Sequence, residues 1–569
     1  MDLRIGGIAS GLDTQQIIKD LMQAERTKVD KLEQNKMLLE WKQEMYNDLN
    51  KELANFILDS KKEFGLSKTT STGLYVNSSV SGLDWVRKAT VSDSSIASIS
   101  ARADAVEGSY NVHVESLASN ANVASNQSLG ELGVLKQQFT LNDSDVIKFT
   151  IHRIENNQET VSQTFEFSGD DLSNLTIQDI ANQINSYRDA VGKDLGVKAV
   201  YDASINRFFL QSTTTGESNG FKVTEDTGVE NVINFMTGID GDNSPTNIVG
   251  LKLESGIANK GTDAIIDFGG ASGIHQSSNQ FTINGINFDL KAKGDTTVQV
   301  ATDIDGVYEK ISNFVTKYNE LISKFSETLG EKRYRDYLPL TKEQKDSMSE
   351  KEIELWEEKA KSGLIKEDKI IAQTLQTIRS GFYDKVEGVT GIFDQLTQIG
   401  ISTESYFNAN GGQLVINESK LKTAIRDNVD GVLDLLFKEP EGDLKSKTES
   451  SMTASELKEK RSQSGLIRRL FDNMVVGMKD IVSKAGAGSN ADLYRNVNSS
   501  IMIDFVTNYG SISILDKDAN GLNKRIAQMN DYLIRTEDRY WKQFTAMETA
   551  LQRMNSQSSW LMQQFGGGE

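Results

Sequence analysis

Apolar residues recur every seven positions near both ends of this chain. Leu32, Leu39, Tyr46 and Leu53 form one series, and Leu49 and Phe56 follow its last two members at the d positions of a heptad. The earlier d positions are Asn35 and Lys42, so this seam is incomplete. Upstream, Asp13 followed three residues later by Gln16 reads as a capping box, and Ile17, Ile18, Leu21 and Met22 give the ensuing helix an apolar face. The last segment carries an unbroken series: Ile526, Leu533, Tyr540, Met547, Met554 and Leu561, with Met529 beside it. Phe544, Leu551 and Phe565 then fall at a, while Asn530, Glu537 and Ser558 are the polar a positions. This stripe runs over roughly 65 Å of helix at about 1.5 Å per residue. Either series would suit a helix packed in an ordinary bundle. Their location at opposite ends of the sequence favours end helices that pack together or onto partner helices.

Between these segments the pattern changes twice. From 67 to 300 the chain is rich in Ser, Thr, Gly and Asn and alternates over short runs. Ser109–Glu115 and Thr164–Phe167 read as strands, and Asn284-Gly285 between Phe281-Thr282-Ile283 and Ile286-Asn287-Phe288 reads as a hairpin turn. Phe139-Thr140-Leu141-Asn142 echoes Phe281-Thr282-Ile283-Asn284, which predicts two β units of related design. From Asp303 the helical period returns, with Val307, Ile311, Phe314, Val315, Tyr318 and Leu321 on one face. Thr341…Gln344 and Ser349…Glu352 are capping boxes of short exposed helices. Leu414-Val415-Ile416 reads as a strand before a helix through Leu421, Ile425, Val432 and Leu436, and Glu441–Ser464 as a polar surface loop. Only Pro245, Pro339 and Pro440 interrupt 569 residues, so long helices are permitted almost everywhere.

Charge narrows the partners. The chain carries −19 overall: −3 in 1–60, +1 in 521–569, and therefore −17 in the middle. An acidic body disfavours nucleic acid and anionic membrane surfaces as partners. The middle should repel its copies, whereas the near-neutral ends are free to pack. Zero cysteine excludes disulfides and thiolate chemistry. The N-terminus lacks the basic start, apolar run and cleavage site of a secretory signal, and no run of about 18 apolar residues is present to span a membrane.

Candidate chemistry is sparse. His113, His152 and His275 stand alone, without a second histidine at helical spacing. Ser218 in Gly216-Glu217-Ser218-Asn219-Gly220 matches a nucleophile elbow, but Phe221-Lys222-Val223-Thr224 after it reads as a strand where that motif needs a helix. Asp516-Lys517-Asp518-Ala519-Asn520-Gly521 matches half a calcium loop, with Ala527 where a bidentate carboxylate belongs. A turn with Gly521 punctuating the start of the last helix fits better. No catalytic residue, cofactor or metal is expected, and the chain is not expected to be an enzyme.

Gly7-Ile8-Ala9-Ser10-Gly11-Leu12-Asp13, followed by Ile17-Ile18, Leu21-Met22 and Glu25, resembles the opening signature of the bacterial flagellar filament cap family. Met547-Glu548 and Met554-Asn555-Ser556-Gln557 resemble its closing helix. Asp303–Val307 and Phe314–Ile322 are also similar to it, and Asn182–Gly216 resembles a repeat of flagellin-type hook and cap proteins. One departure is Thr27, near where many relatives carry proline.

The resemblance implies an α+β multidomain chain: a terminal antiparallel coiled-coil leg, a mixed helical/β domain and inserted β-rich domains. The expected divisions are a helical leg at 1–66 and the first part of an α+β domain at 67–117. Inserted β-rich plate domains follow at 118–300, with the repeat at 136–224 nested within. The α+β domain resumes at 301–515 and the second leg helix is 516–569. Leg packing and filament contact fall to Ile8, Leu12, Ile17, Leu21, Leu32, Leu39, Tyr46, Leu49, Leu53 and Phe56, and in the last helix to the stripe named above. The implied partners are a homopentamer or homohexamer ring, flagellin, hook–filament junction proteins and an export chaperone on the C-terminal segment. Neither nucleic acid nor membrane is among them. The implied location is the extracellular flagellum tip, reached by flagellar export without a cleaved signal. The alternatives are a surface adhesin binding mucin or host glycans and a hydrolase using paired carboxylates. Against the adhesin, only Trp85 of five tryptophans lies in the β-rich stretch.

Overall fold

A computed structural model describes residues 11, 13–70, 75–225, 231–237, 249, 251, 253–389, 391–404, 412–447, 452–497 and 513–565. Ile8, Leu12 and the Phe565 side chain lie outside the described residues, as does most of the opening signature. The chain forms two compact units, one of 1–80 with 304–569 and one of 81–303.

The first unit is built on two long helices. Thr14–Glu63 contains neither Gly nor Pro, and it continues through Thr27, whose hydroxyl donates to the Ala24 carbonyl at 2.7 Å. Asp13 caps it by accepting from the Gln16 amide at 3.0 Å. The reciprocal arm of the predicted box is replaced, because the Gln16 side chain donates to Asp20 instead. At the other end Gly65, at φ +72°, lets the Leu66 and Gly65 amides reach the Lys61 and Lys62 carbonyls, a Schellman closure.

The last helix, Ile514–Phe565, starts with a box of its own. The Asp516 carboxylate accepts from the Ser513 amide at 2.9 Å and hydroxyl at 2.7 Å, and the Asp516 amide donates to the Ser513 oxygen at 3.1 Å. This corrects the expected turn at 516–521. Asp516, Asp518 and Asn520 are helical, so they form no calcium loop, and Gly521 sits inside the helix. One glycine costs about 1 kcal/mol against alanine, too little to stop a helix this long.

The unit's core surrounds Ile304–Gly330, whose predicted face from Val307 to Leu321 is buried. Leu421, Ile425, Val432 and Leu436 are likewise buried in Glu418–Phe437, and Leu414–Ile416 pairs antiparallel with Ile401–Thr403. Both predicted capping boxes at Thr341 and Ser349 form. The expected loop 441–464 instead contains helices Asp443–Ser446 and Ala454–Gln463. The second is opened by a Thr453–Glu456 capping box and buries none of its residues, which is why no apolar period announced it.

The second unit holds two hydrophobic clusters. In one, Val112, Val114, Ile266, Phe268, Phe288 and Val298 fill the space between two antiparallel sheets. The five-stranded sheet has the order 271–276, 264–268, 108–116, 294–302 and 87–91, and the three-stranded sheet has 280–283, 286–290 and 97–101. Asn284 (φ +49°) and Gly285 (φ +75°) make the predicted turn, with Ile283 opposite Ile286. The other cluster, around Phe149, Phe208, Phe221 and Phe235, is wrapped by strands between 120 and 260 and by helix Ile177–Ser186. Strands 87–116, expected to join 301–515, pair with 264–302 instead. Alternation marks a strand but not its partner. The predicted echo at 139–142 is not a strand; Phe139 ends a short helix and Thr140 sits at φ +56°.

Candidate docking site on the terminal helix pair

The first and last helices run antiparallel. Near one end of the pair the Gln43 amide group donates to Asp516 at 2.8 Å and to the Ala485 carbonyl at 2.5 Å. Towards the other, Ile18, Met22 and Arg26 face Leu533, Ile534 and Trp541 across a groove of about 610 Å³. Ile18 and Val29 are each 3% exposed and Leu533 is 8% exposed. The stripe used is therefore Ile18 and Met22, one position along from the predicted Ile17 and Leu21. Ile17 is half-buried and Leu21 is exposed. Both adjacent pairs are apolar, so the pattern alone does not choose between them, and the position of the last helix across the groove does.

The predicted seam also changes partners. Leu32 and Leu39 are half-buried, whereas Tyr46, Leu49, Leu53 and Phe56 are buried. Phe56 packs tilted against Phe314 (5.6 Å between ring centres) and edge-on against Phe471 (6.5 Å), both on other helices of the unit. Tyr46 donates to the Asp368 carboxylate at 2.5 Å. That carboxylate also caps helix Lys369–Ser380 by accepting from the Ile370 and Ile371 amides. Burial and the carboxylate together push the Tyr46 phenol far above its ordinary pKa, so it stays a donor. The first helix is thus a paired helix up to about Gln43 and a core helix after it.

The one-for-one register set by Gln43 and Asp516 brings Thr14 opposite Thr545. Beyond Thr545 no described helix lies alongside. There Met547 is 37% exposed, Met554 62%, Trp560 57%, Leu561 46% and Met562 73%. Ile526, Met529, Tyr540, Phe544 and Leu551 are half-buried. A single heptad series therefore has a covered half and a bare half.

The candidate catalytic groups are not assembled. Ser218 lies in a turn between strands Arg207–Thr215 and Gly220–Glu225, so the strand it needs is present and the helix is not. His113 pairs with Asp295 at 2.7 Å, and His152 lies among Ser162, Thr224 and Glu159. Among the described residues, no helix is long and apolar enough to cross a membrane.

The end helices therefore pair over part of their length and leave an apolar stripe of the last one uncovered. The family models described as flagellar hook-associated protein 2 N-terminus and C-terminus match residues 10–121 and 261–556. The flagellar hook-associated protein 2 of Halalkalibacterium halodurans is 31% identical over 99% of this chain and 100% of its own length. That of Thermotoga maritima is 24% identical over 69% of this chain and 53% of its own. The crystal structure of the D1-D2-D3 domains of the Escherichia coli flagellar cap protein FliD covers 84% of this chain and 99% of its own, at 19% identity and a TM-score of 0.48. This chain belongs to the flagellar hook-associated protein 2 family.

Proposed function

We propose that this protein caps the flagellar filament. Copies form a ring of five or six at the tip, their paired end helices dock onto the filament, and exported flagellin folds and inserts beneath them. The reading rests on a family match running the length of the chain, and the bare half of the last helix is the observation that gives it a mechanism. Ile18, Val29 and Leu533 hold the helix pair together. Met547, Met554 and Leu561 are left to meet grooves between filament subunits, and burial there at about 25 cal/mol per Å² is the driving force. Before export the same stripe would be covered by a chaperone, because an exposed apolar helix invites aggregation. The protein then works outside the cell, beside the hook–filament junction proteins, after export without a cleaved signal. Its stepping is driven by subunit insertion rather than by catalysis. The comparisons lend nothing to the adhesin alternative.

Complementation of a cap-deficient strain tests this. A chain ending at Thr545 should leave flagellin as monomer in the medium, while the full chain restores filaments. Filaments of normal length from the shortened chain would refute the docking role.

A further inference from the structure

We propose that Glu217, Asp263 and His275 form a site for one divalent transition-metal ion of the zinc type, which ties together the two β clusters of the 81–303 unit. One ligand atom from each side chain lies within 4.8 Å of the other two. Glu217 is in the turn after strand Arg207–Thr215, on the side of the Phe208 cluster. Asp263 immediately precedes strand Ala264–Phe268, and His275 lies on its neighbour Ala271–Gln276, both on the side of the Phe268 cluster. Asp263 and His275 meet on paired strands of one sheet, and Glu217 reaches them from the turn on the other side.

Charge gives a reason independent of proximity. Asp263, with its side chain 11% exposed, has the His275 ring as its one ion-pair partner, Nδ1 to Oδ2 at 3.4 Å, and Glu217 has none among the described residues. Some other carboxylates of the unit do meet cations: Glu159 meets Lys222, and Asp194 meets Arg153 at 2.9 Å. Two close carboxylates without a lysine or arginine ion-pair partner among the described residues favour a bound cation. The backbone holds them in place. The Glu217 amide donates to Asp263 Oδ1 at 2.8 Å, leaving Oδ2 turned towards the imidazole. Gly216, at φ +101°, has no room for a Cβ, which would sit 2.6 Å from the Ser277 Cβ, so the turn closes tightly on the 271–277 strand end.

The donor set selects the ion. One imidazole nitrogen with two carboxylates suits zinc and its neighbours, whereas calcium and magnesium take all-oxygen cages. Zinc bonds of about 2.0–2.2 Å place tetrahedral donors roughly 3.3 Å apart, so the exposed Glu217 and His275 side chains close inward by about 1 Å and water fills the fourth position.

The test uses the full-length protein, zinc titrated by calorimetry and cobalt(II) read by its visible absorption. The expected result is one ion per chain, a melting temperature raised by zinc, and an affinity at least about tenfold weaker in His275→Gln, Glu217→Gln and Asp263→Asn. His113→Gln and His152→Gln should bind as the wild type does. His275 is half exposed, so its variant keeps the fold, which circular dichroism verifies. Absence of stoichiometric binding by the wild type, or binding retained by His275→Gln, overturns the proposal. Filament assembly is not the readout, so failure here leaves the capping function untouched.

Discussion

Arg469 should be the most costly single side chain to remove from the helical unit. It is 3% exposed, and its hydrogen-bond partners are carbonyls rather than carboxylates. Nε donates to Arg461 at 2.9 Å, Nη1 to Asp384 at 2.8 Å and Gly381 at 3.3 Å, and Nη2 to Lys385 at 3.2 Å, Ser464 at 3.2 Å and Ser462 at 3.4 Å. One guanidinium therefore fastens two chain segments, 381–385 and 461–464, to helix Leu466–Ala485. Burial lowers its pKa, but an arginine remains charged throughout the working range. Arg469→Met keeps most of the volume and removes every donor. Each buried carbonyl left without a partner costs about 1–3 kcal/mol. Counting the two buried carbonyls, those of Gly381 and Ser464, and allowing for the desolvation recovered when a buried charge disappears gives about 2–5 kcal/mol. Urea unfolding followed by circular dichroism measures this, with Arg469→Lys expected in between, since lysine keeps the charge but not the planar fork. A methionine variant within about 0.5 kcal/mol of wild type, the range of an ordinary surface change, would refute the reasoning.

Tyr46→Phe removes the donor to Asp368 and should cost about 1.5–3 kcal/mol in the same assay, the value of a hydrogen bond to a charged group. Leu533→Asp puts a charge into the helix pair and should lower the melting temperature as well as abolish filaments. Met554→Asp, on the bare half, should abolish filaments while leaving stability within about 0.5 kcal/mol. Electron microscopy of cells beside calorimetry of the purified variants distinguishes them, and equal destabilisation by both would contradict the division of the stripe. Glu456, held down to about 2 by Lys447 and by the Thr453 amide and hydroxyl, lends helix 454–463 stability that is present above its ordinary value of 4.5 and lost as pH falls towards 2. A carboxyl titration by NMR with a midpoint near 4 would contradict that.

Local signals were legible where one short-range cause decides the structure. Asn284-Gly285, the Thr341 and Ser349 boxes and the face from Val307 to Leu321 each follow from turn chemistry, capping or a helical period. What the sequence left open was pairing. Strand 108–116 alternates cleanly, yet nothing in it says that its neighbours are 264–268 and 294–302. Helix 454–463 escaped notice because it buries no residue. Arg469 escaped because Arg468-Arg469 reads as solvated charge at the start of a helix. The Glu217, Asp263 and His275 grouping has no spacing rule, since its members meet only through the sheet.

The heptad pattern shows the same limit at the scale of the docking site. A seven-residue repeat states that a stripe will be buried, not by what. Along the first helix the stripe faces the groove lined by Leu533 and Trp541 near Ile18 and Met22, and from Tyr46 it faces the Phe314 and Phe471 helices. Along the last helix it is covered at Leu533 and bare from Met547. Isolated helices are marginal in water, so the bare half gains from being continuous with a half already held in helical form by its partner. A second surface that covers Met554 and Leu561 then meets a preformed apolar ridge and avoids most of the entropy cost of ordering it. On the docking proposed above, the uninterrupted period across Thr545 serves two contacts with one helix, the inner one made on folding and the outer one left for a partner.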